Sequence, residues 1–343
     1  MVMHKLFISL FAFLFFVVGC KKDSNNNNNI PAPTNLTLSA IVSADSSGNV
    51  AFTAYADNAT SYEYDFGNGV LEASISGVVN YRYQKSDMYT VKVTAKNAST
   101  NTATKSIQVK INLIQALWND EFDIAGAPDA NKWTYDLGNN NGWGNQENQF
   151  YTARPENIKV ENGVLKITAI KESYSGFNYT SARLKSQGKF SFKYGRVDVR
   201  AKLSFGGGTW PAIWMLGDNI TSAGWPNCGE IDIMEHIGND LNKIYGTLHY
   251  PGRSGGNGNG AFTIISNATT SFHKYSLDWT STAIKLYVDD VLFHTVANSS
   301  AIPFNQNFFM ILNIAMGGAF GGNIDPNFAT SALEIDYIRV YNN

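Results

Sequence analysis

Residues 230–235 read Glu-Ile-Asp-Ile-Met-Glu, and they set three carboxylates inside a run that otherwise predicts a buried β-strand. Isoleucine and methionine surround the acids, and Gly229 precedes them. Like charges on one strand repel, and their burial is costly unless the charges are paired or used. A strand of this composition predicts a catalytic site.

The register of this strand predicts an irregularity. Residues two apart on a strand share a face and lie about 7 Å apart, so Glu230 and Asp232 point the same way while the isoleucines face the core. Strict alternation would bury Glu235 without a partner. We therefore predict a β-bulge at Ile233 and Met234, with Met234 as the extra residue, because one extra residue returns Glu235 to the carboxylate face.

Three acids on one face suit acid–base chemistry. The middle acid can hold a proton against an outer glutamate, one glutamate can stay ionised as a nucleophile, and the other can act as a general acid because neighbouring charge raises its pKa. Retaining glycoside hydrolysis divides the work of two carboxyl groups in this way. One alternative is a metal site, although metal ligands more usually come from several loops. The other is a solvated acidic strand, which would not carry such regular isoleucines.

The composition of the chain indicates a large all-β protein with an aromatic-lined surface. Of its 343 residues, 16% are charged and 13% are aromatic, glycine is frequent, and helical signals are nearly absent. The formal net charge of −2 gives no reason to expect a nucleic-acid partner, whose binding usually shows as a basic patch. A neutral polymer is a better partner for such a surface, and we expect a monomer.

The N-terminal residues predict export. Lys5 precedes an apolar run, residues 6–18, which is too short to span a membrane comfortably. Residues 1–19 resemble a bacterial lipoprotein signal, which implies lipid on Cys20, a membrane anchor, and an outer-membrane or cell-surface location. An ordinary secretory signal is the alternative. Residues 20–31, which include a run of asparagines, predict a flexible tether.

Cys228 is the one cysteine besides Cys20. A lipidated Cys20 would leave it no partner for an intrachain disulfide. A nucleophilic thiol is one interpretation of Cys228, but no motif around it supports that role. We expect a small, buried, apolar side chain.

Residues 32–113 predict a small β-sandwich. Its strands alternate with period two, and residues 62–69, Tyr-Glu-Tyr-Asp-Phe-Gly-Asn-Gly, run from a strand into an Asn-Gly turn. This block resembles the PKD family of small immunoglobulin-like β-sandwiches, with Asn68 in place of the usual aspartate. We expect Asp65 to cap the turn rather than act in catalysis, and the block to be a spacer or a weak binding module.

Residues 118–343 carry many short alternating strands broken by glycine, asparagine and proline, which predicts a two-sheet sandwich or barrel of the jelly-roll type. The acid strand is similar to the Glu-x-Asp-x-x-Glu signature of glycoside hydrolase family 16. The whole block resembles that family, most clearly in residues 118–122, 143–152, 209–215 and 335–341. The resemblance implies a concanavalin A-like β-jelly roll with a long cleft across its concave sheet.

The resemblance gives the three acids ordered roles. It implies that Glu230 is the nucleophile, that Asp232 shares a proton with it, and that Glu235 is the acid/base. It also implies that His249, on the neighbouring strand, lies close to the acid/base, with a purely structural histidine as the alternative. None of these roles requires a cofactor.

A sugar-binding cleft needs aromatic platforms and polar groups for hydroxyls. Three tryptophans flank the acid strand in sequence, and core packing is the alternative for the first two: Trp210, Trp214 and Trp225. Asn145 and Arg183 match family positions that hydrogen-bond glucose units on the non-reducing side. Asn313 is a further candidate.

The resemblance also implies one structural calcium ion on the convex side. The family's ligands are backbone oxygens near the opening glutamate and an Asn-Gly turn, together with the aspartate of the closing strand. In this chain they correspond to Glu121, Gly163 and Asp336. Ligation by oxygen alone suits calcium. A fold without metal is the alternative.

We therefore expect a retaining endo-glycosidase that hydrolyses β-1,3-glucan such as laminarin, or mixed β-1,3/1,4-glucan. One alternative is an enzyme of the same family that acts on agar, carrageenan or xyloglucan. Another is a non-catalytic glucan-binding lectin, which we would expect to have lost the catalytic glutamates. A surface adhesin that uses the first block is a third.

Overall fold

The structure is a computed structural model that describes residues 31–342, apart from residues 45, 99–100 and 114–115. Cys20, the predicted signal and nearly all of the predicted tether lie outside the described residues. The chain divides into two compact units at residues 114 and 115. No helix of the described residues is long and apolar enough to cross a lipid bilayer.

The first unit is an all-β sandwich of two sheets. Its described strands are β1 Thr34–Val42, β2 Asn49–Asp57, β3 Ser61–Asp65, β4 Leu71–Ser74, β5 Val78–Arg82, β6 Asp87–Lys96 and β7 Thr102–Ile111. They form a sheet of order β1-β2-β5 and a sheet of order β4-β3-β6-β7. Alternate residues of β2 and β6 are buried, as the period-two pattern predicts, and aromatic rings such as Phe52 and Tyr64 fill the core. Asp65 Oδ1 accepts the backbone N–H of Gly67 at 3.0 Å, which confirms its turn-capping role.

The second unit is also built almost entirely from strands. Its described strands are β8 Trp118–Asp120, β9 Thr134–Asp136, β10 Gln149–Tyr151, β11 Ile158–Glu161, β12 Val164–Tyr174, β13 Phe177–Ser181, β14 Arg183–Lys185, β15 Gly195–Lys202, β16 Thr209–Gly217, β17 Glu230–His236, β18 Lys243–His249, β19 Asn259–Ile264, β20 His273–Trp279, β21 Ala283–Val288, β22 Val291–Ala297, β23 Phe308–Met316 and β24 Thr330–Tyr341. Two short helices, α1 Ile220–Ala223 and α2 Gly318–Gly321, and two 3₁₀ turns, Asn140–Gly144 and Gly255–Asn257, lie between them.

These strands form two sheets with one hydrophobic core between them. The seven-stranded sheet has the order β19-β18-β17-β16-β23-β14-β9. The ten-stranded sheet has the order β10-β13-β12-β24-β15-β20-β21-β22, with β8 and β11 paired to β24 and β12. Ile213 and Ile231 from the first sheet and Leu277 and Ile335 from the second belong to the same buried cluster. The predicted two-sheet sandwich is confirmed, and the acid strand β17 lies inside the seven-stranded sheet.

Cys228 is fully buried just before β17 and is a free thiol. Burial raises the pKa of this thiol to about 11, and the nearby Glu230 carboxylate adds to the increase. A thiol with a raised pKa is a poor nucleophile. The prediction of a buried, unreactive cysteine is confirmed.

Candidate active site

The predicted bulge lies in β17. Opposite β16, Ile213 pairs with Met234 and Trp214 pairs with Asp232, so Ile233 has no partner of its own. Opposite β18, the pairing also shifts between Asp232 and Glu235. The bulge at Ile233 and Met234 is confirmed, but the choice of Met234 as the extra residue was wrong relative to β16. Both side chains are fully buried in the core, so the strand loses no apolar contact at the shift.

The bulge places all three acids on one face of the seven-stranded sheet, which we call the acid face. Cross-strand neighbours share a face, and Leu216, Trp214 and Ala212 on β16 lie opposite Glu230, Asp232 and Glu235. Asp232 is 3% exposed and Glu235 is 9% exposed. Burial this deep requires that each carboxyl group be hydrogen-bonded.

Indole groups bind the two outer acids. Trp210 Nε1 donates to Glu235 Oε1 at 3.0 Å, and Trp225 Nε1 donates to Glu230 Oε2 at 2.7 Å. Trp210 is half-buried on β16, whereas Trp225 is in the loop before β17 and is 48% exposed. The core-packing alternative for Trp210 is therefore wrong, because its ring lies on the acid face.

His249 lies beside the acid strand. It pairs with Glu230 across β17 and β18, and its Nε2 is 3.3 Å from Asp232 Oδ2. Its ring also contacts Trp225, with 5.9 Å between ring centroids. The histidine borders Glu230 and Asp232 directly, and it is near enough to Glu235 to oppose the increase in the pKa of that acid.

The acids are electrostatically coupled to one another. Burial is the largest cause that raises the pKa of each, and repulsion between Glu230, Asp232 and Glu235 adds to it. The pKa of Glu235 rises to about 7, although hydrogen bonds from Trp210 and Thr247 oppose the increase. Three carboxylates this close retain protons near neutral pH, which is the condition for acid–base chemistry.

A buried polar network supports the next strands of the acid face. Trp214 Nε1 donates to Asn313 Oδ1 at 2.7 Å, and Asn313 Nδ2 donates to the hydroxyl of Tyr151 at 3.0 Å. That hydroxyl donates to Glu147 Oε2 at 3.1 Å. Gln149 and Asn145 donate to the same carboxylate, at 2.6 and 3.2 Å. Asn313 is 5% exposed, so it positions Trp214 rather than offering a free group to a ligand.

Arg183 lies between two indole rings. Its guanidinium carbon is 4.4 Å from the ring centroid of Trp143 and 4.8 Å from that of Trp214, and its Nε is 3.1 Å from Asp136 Oδ2. Cation–π contacts on both sides fix the plane of the guanidinium group. Trp214 has both of its predicted roles in part, since its ring contacts Arg183 on the acid face and also packs against the small buried cluster of Leu216, Cys228, Phe309 and Ile311.

Trp143 reaches Arg183 from an unusual turn. Residues 140–144 all have positive φ, from 46° to 80°. Asparagine and glycine tolerate this left-handed conformation, and Asn140, Asn141 and Gly142 occupy its first positions. For Trp143, with φ 52°, this left-handed conformation costs roughly 1–2 kcal/mol. The contact of Trp143 with Arg183 helps to offset that strain.

The predicted site residues therefore form one face. Trp210, Trp214, Trp225 and His249 lie beside the three acids. Arg183 lies farther along the same face, on β14, and Asn145 and Asn313 belong to the buried network between them. Sequence reasoning missed Glu147, Gln149 and Tyr151, although residues 143–152 contain them. Their period-two spacing indicates side chains on one face of a strand. Sequence reasoning also missed the rings of Tyr245, Phe262 and Phe320.

The three residues predicted to bind calcium lie on β24 or next to strands that pair with it. Asp120 on β8 pairs with Ile338, and Leu165 on β12 pairs with Ile335. Glu121 follows Asp120, Gly163 is two residues before Leu165, and Asp336 lies between the two paired positions of β24. This position is compatible with shared oxygen ligation. Asp336 Oδ2 also accepts a hydrogen bond from Arg200 Nη1 at 2.6 Å, and Arg339 binds the Glu121 carboxylate. A cation there would draw on backbone oxygens and the remaining oxygen of Asp336.

Both units of the chain are similar to known protein families. A family model described as "Glycosyl hydrolases family 16" matches residues 145–339, and a PKD domain model matches residues 26–109. A "Beta-glucanase" of Rhodothermus marinus is 47% identical over 243 residues, which cover 66% of this chain and 85% of that protein.

Two further similarities bear on substrate. The X-ray structure of the laminarinase from Rhodothermus marinus has a TM-score of 0.64 at 46% identity, covering 67% of this chain and 97% of that chain. A "Keratan-sulfate endo-1,4-beta-galactosidase" of Sphingobacterium multivorum is 36% identical over 238 residues, which cover 66% of this chain and 55% of that protein.

Proposed function

This chain belongs to family 16 of the glycosyl hydrolases, and we propose that it cleaves β-1,3-glucan or mixed β-1,3/1,4-glucan with retention of anomeric configuration. The family predicted from residues 230–235 is confirmed, as is the PKD domain. The observation that carries the proposal is the set of three acids on one face of β17, two of them buried and one half-buried, with an indole donor on each outer glutamate. The β-glucanase and laminarinase relatives supply the substrate class.

In the proposed mechanism, Glu230 is the nucleophile. Its carboxylate attacks the anomeric carbon, the glycosidic C–O bond breaks, and a covalent glycosyl-enzyme forms. Glu235 gives its proton to the departing oxygen in the same step. Glu235 then takes a proton from water, whose oxygen displaces Glu230 from the anomeric carbon, and both residues return to their starting states.

Asp232 tunes Glu230 in this mechanism. Burial raises the pKa values of both groups; the Asp232 charge adds to the increase at Glu230, whose pKa is about 8, and the Glu235 charge adds to the increase at Asp232. The pair therefore retains a proton near neutral pH. Asp232 is almost fully buried, whereas Glu230 is partly exposed and accepts the Trp225 N–H. The mechanism requires the shared proton to be on Asp232 when Glu230 attacks, and the Trp225 N–H favours the ionised form of Glu230.

Replacement of Glu230 tests the proposal. Glu230→Ala should abolish reducing-sugar release from laminarin while the thermal unfolding midpoint of the protein is retained, because the side chain removed is a partly exposed acid. Glu156→Ala, in an exposed turn, is the matched control and should keep wild-type activity. Wild-type rates for the Glu230 variant would exclude the assigned nucleophile. NMR analysis of the first products should show the β-anomer, and an inverted product would exclude double displacement.

A second candidate is hydrolysis of a galactose-containing polysaccharide. The relative described as a keratan-sulfate endo-1,4-beta-galactosidase favours it, since the identity is 36% over most of the second unit. Laminarin, mixed-linkage glucan, agar, carrageenan, xyloglucan and keratan sulfate, assayed side by side, separate the two candidates. Faster cleavage of a galactan than of either glucan would overturn the glucan proposal.

We further propose one structural calcium ion beside Glu121, Gly163 and Asp336. Its role would be to tie the start of the second unit to its last strand, because β8 and β12, next to Glu121 and Gly163, both pair with β24, which carries Asp336. Chelation by EDTA should lower the thermal midpoint and added calcium should restore it, whereas Asp336→Asn should weaken that response. The same midpoint with and without the chelator would contradict the proposal.

For the N-terminal residues we propose lipid attachment at Cys20 and a location at the outer membrane or cell surface. The sequence pattern of residues 1–20 supports this. Incorporation of labelled palmitate into the expressed protein, and its loss in Cys20→Ser, would be the expected result. A protein that is secreted without label would instead fit the ordinary secretory signal.

A further inference from the structure

A row of aromatic side chains begins at Glu235 and ends at the edge of the sheet. Glu235 pairs with Tyr245 on β18, and Tyr245 pairs with Phe262 on β19. Directly opposed residues of neighbouring strands share a face, so both rings lie on the acid face. The row runs across the strands, away from β16 and β23.

The rings of this row contact one another. Phe320, on α2, meets Trp210 edge-on at 5.5 Å between centroids and meets Tyr245 edge-on at 5.0 Å. Tyr245 and Phe262 lie 6.0 Å apart. We call Tyr245 and Phe262 the aromatic row. Phe320 connects it to Trp210 on β16, whose indole N–H donates to Glu235.

The outer end of the aromatic row is unusually exposed. Phe262 is 54% exposed and Ile264, the next residue on the same face, is 57% exposed. Both belong to β19, the edge strand of the seven-stranded sheet. Edge strands usually carry charge or irregularity rather than exposed apolar side chains, since exposed apolar edges invite aggregation. An apolar group in this position indicates a surface that binds something.

The strand order indicates which half of a bound glucan, the non-reducing half or the leaving-group half, would lie on this surface. Arg183 on β14, Asn313 on β23 and Trp214 on β16 lie to one side of β17, and the aromatic row extends to the other. A polymer that crosses the strands must therefore pass over both groups. Arg183 matches a family position on the non-reducing side of the glucan, so the leaving-group half would lie over the opposite strands, where the row starts beside Glu235, the proposed proton donor.

We propose that the aromatic row is the binding surface for the leaving-group half of the glucan, with Phe262 supporting a sugar at least one unit beyond the bond that breaks. This inference rests on the proposed hydrolase function. Carbon-bound hydrogens on a pyranose face pack on aromatic rings, while the Tyr245 hydroxyl can bond to sugar hydroxyls. The Lys243 ammonium, 5.3 Å from the Phe262 ring, is already paired with Asp240 at 2.7 Å. A neutral polymer needs both kinds of contact.

The test compares a polymer with a substrate that has almost no leaving-group half. Laminarin extends over the whole row, whereas 4-nitrophenyl β-laminaribioside presents one small ring next to Glu235. For Phe262→Ala, the ratio of kcat/KM on laminarin to kcat/KM on the aryl glycoside should fall about 3- to 10-fold, as expected for loss of one aromatic contact. Phe262→Tyr should restore the ratio.

Controls make each outcome decisive. Phe205→Ala removes a ring that is 57% exposed in the loop before β16, and its ratio should match that of the wild type. Equal losses on both substrates, or no more change for Phe262→Ala than for Phe205→Ala, would overturn the inference. Conversion of a dimer to a monomer by Phe262→Ala would show a self-association surface and would also overturn it. A wild-type protein without activity on any glucan would instead overturn the proposed function.

Discussion

Trp210 and Glu235 are joined by one hydrogen bond, in which the indole N–H donates to Oε1 over 3.0 Å. The donor stabilises the ionised carboxylate, so it lowers the pKa of Glu235 against the larger opposing effect of burial. Trp225 makes the equivalent bond to Glu230 and also lowers its pKa. Each proposed catalytic glutamate thus has its own indole, and the two can be removed separately.

Removal of these indole donors should move opposite limbs of the pH profile. Trp210→Phe should raise the pKa of Glu235 above about 7, so the acid stays protonated to higher pH and the alkaline limb of kcat/KM moves upward. Trp225→Phe should raise the pKa of Glu230, so the nucleophile ionises later and the acidic limb moves upward. The measurement is kcat/KM on laminarin from pH 4 to pH 9. If each variant moved the other limb, the two glutamates would have the reverse roles.

Glu235 should also make the stability of the protein depend on pH. Its pKa is about 7 in the folded protein against an ordinary value of 4.5, so the folded state favours the protonated form. The associated stability is present below pH 4.5 and is lost as the pH rises through 7. Glu235→Gln cannot ionise, and between pH 5 and pH 8 its free energy of unfolding should gain about 2 kcal/mol relative to the wild type.

Thermal unfolding of Glu235→Gln and wild type at pH 5 and pH 8 measures this gain. Glu156→Gln, in an exposed turn, is the matched control and should follow the wild type at both values. A catalytic acid that costs stability is expected of active sites, where function and stability conflict. A constant difference between Glu235→Gln and wild type across this range would contradict the prediction.

The bulge in the acid strand could be predicted from sequence because regular alternation conflicts with the cost of burying Glu235. Strict alternation would have buried Glu235, and a bulge was the economical way to avoid it. Sequence could not decide which residue was extra, because Ile233 and Met234 are both apolar and both end in the core. That choice depends on pairing with β16, which is a tertiary property.

The period-two pattern of the strands could not predict which residues reach the acid face from loops. Trp143 contacts Arg183 from a left-handed turn, and Phe320 meets Tyr245 from the short helix α2. Neither segment has a periodic signal, since their side-chain directions follow from backbone conformation and long-range packing. The contact of His249 with Asp232 also could not be predicted, because it depends on register across the bulge.

The Tyr151 hydroxyl links Asn313 to Glu147 by two hydrogen bonds, and its removal should lower both stability and substrate binding. The Tyr151 hydroxyl is fully buried, accepts from Asn313 and donates to Glu147. Tyr151→Phe leaves both partners a bond short, so the free energy of unfolding should fall by about 1–3 kcal/mol. Because Asn313 holds Trp214 in the Arg183 stack, KM on laminarin should also rise while kcat changes less.

Tyr275→Phe is the matched control for Tyr151→Phe. The Tyr275 hydroxyl is equally buried, in the core on β20, but it has no hydrogen-bond partner among the described residues. Loss of an unpaired buried hydroxyl should be neutral or stabilising, because no bond is broken and a desolvated polar group disappears. Thermal unfolding and laminarin kinetics of the two variants separate the effect of the bonds from the effect of the missing oxygen. Equal destabilisation by both substitutions would mean that the network contributes nothing beyond packing.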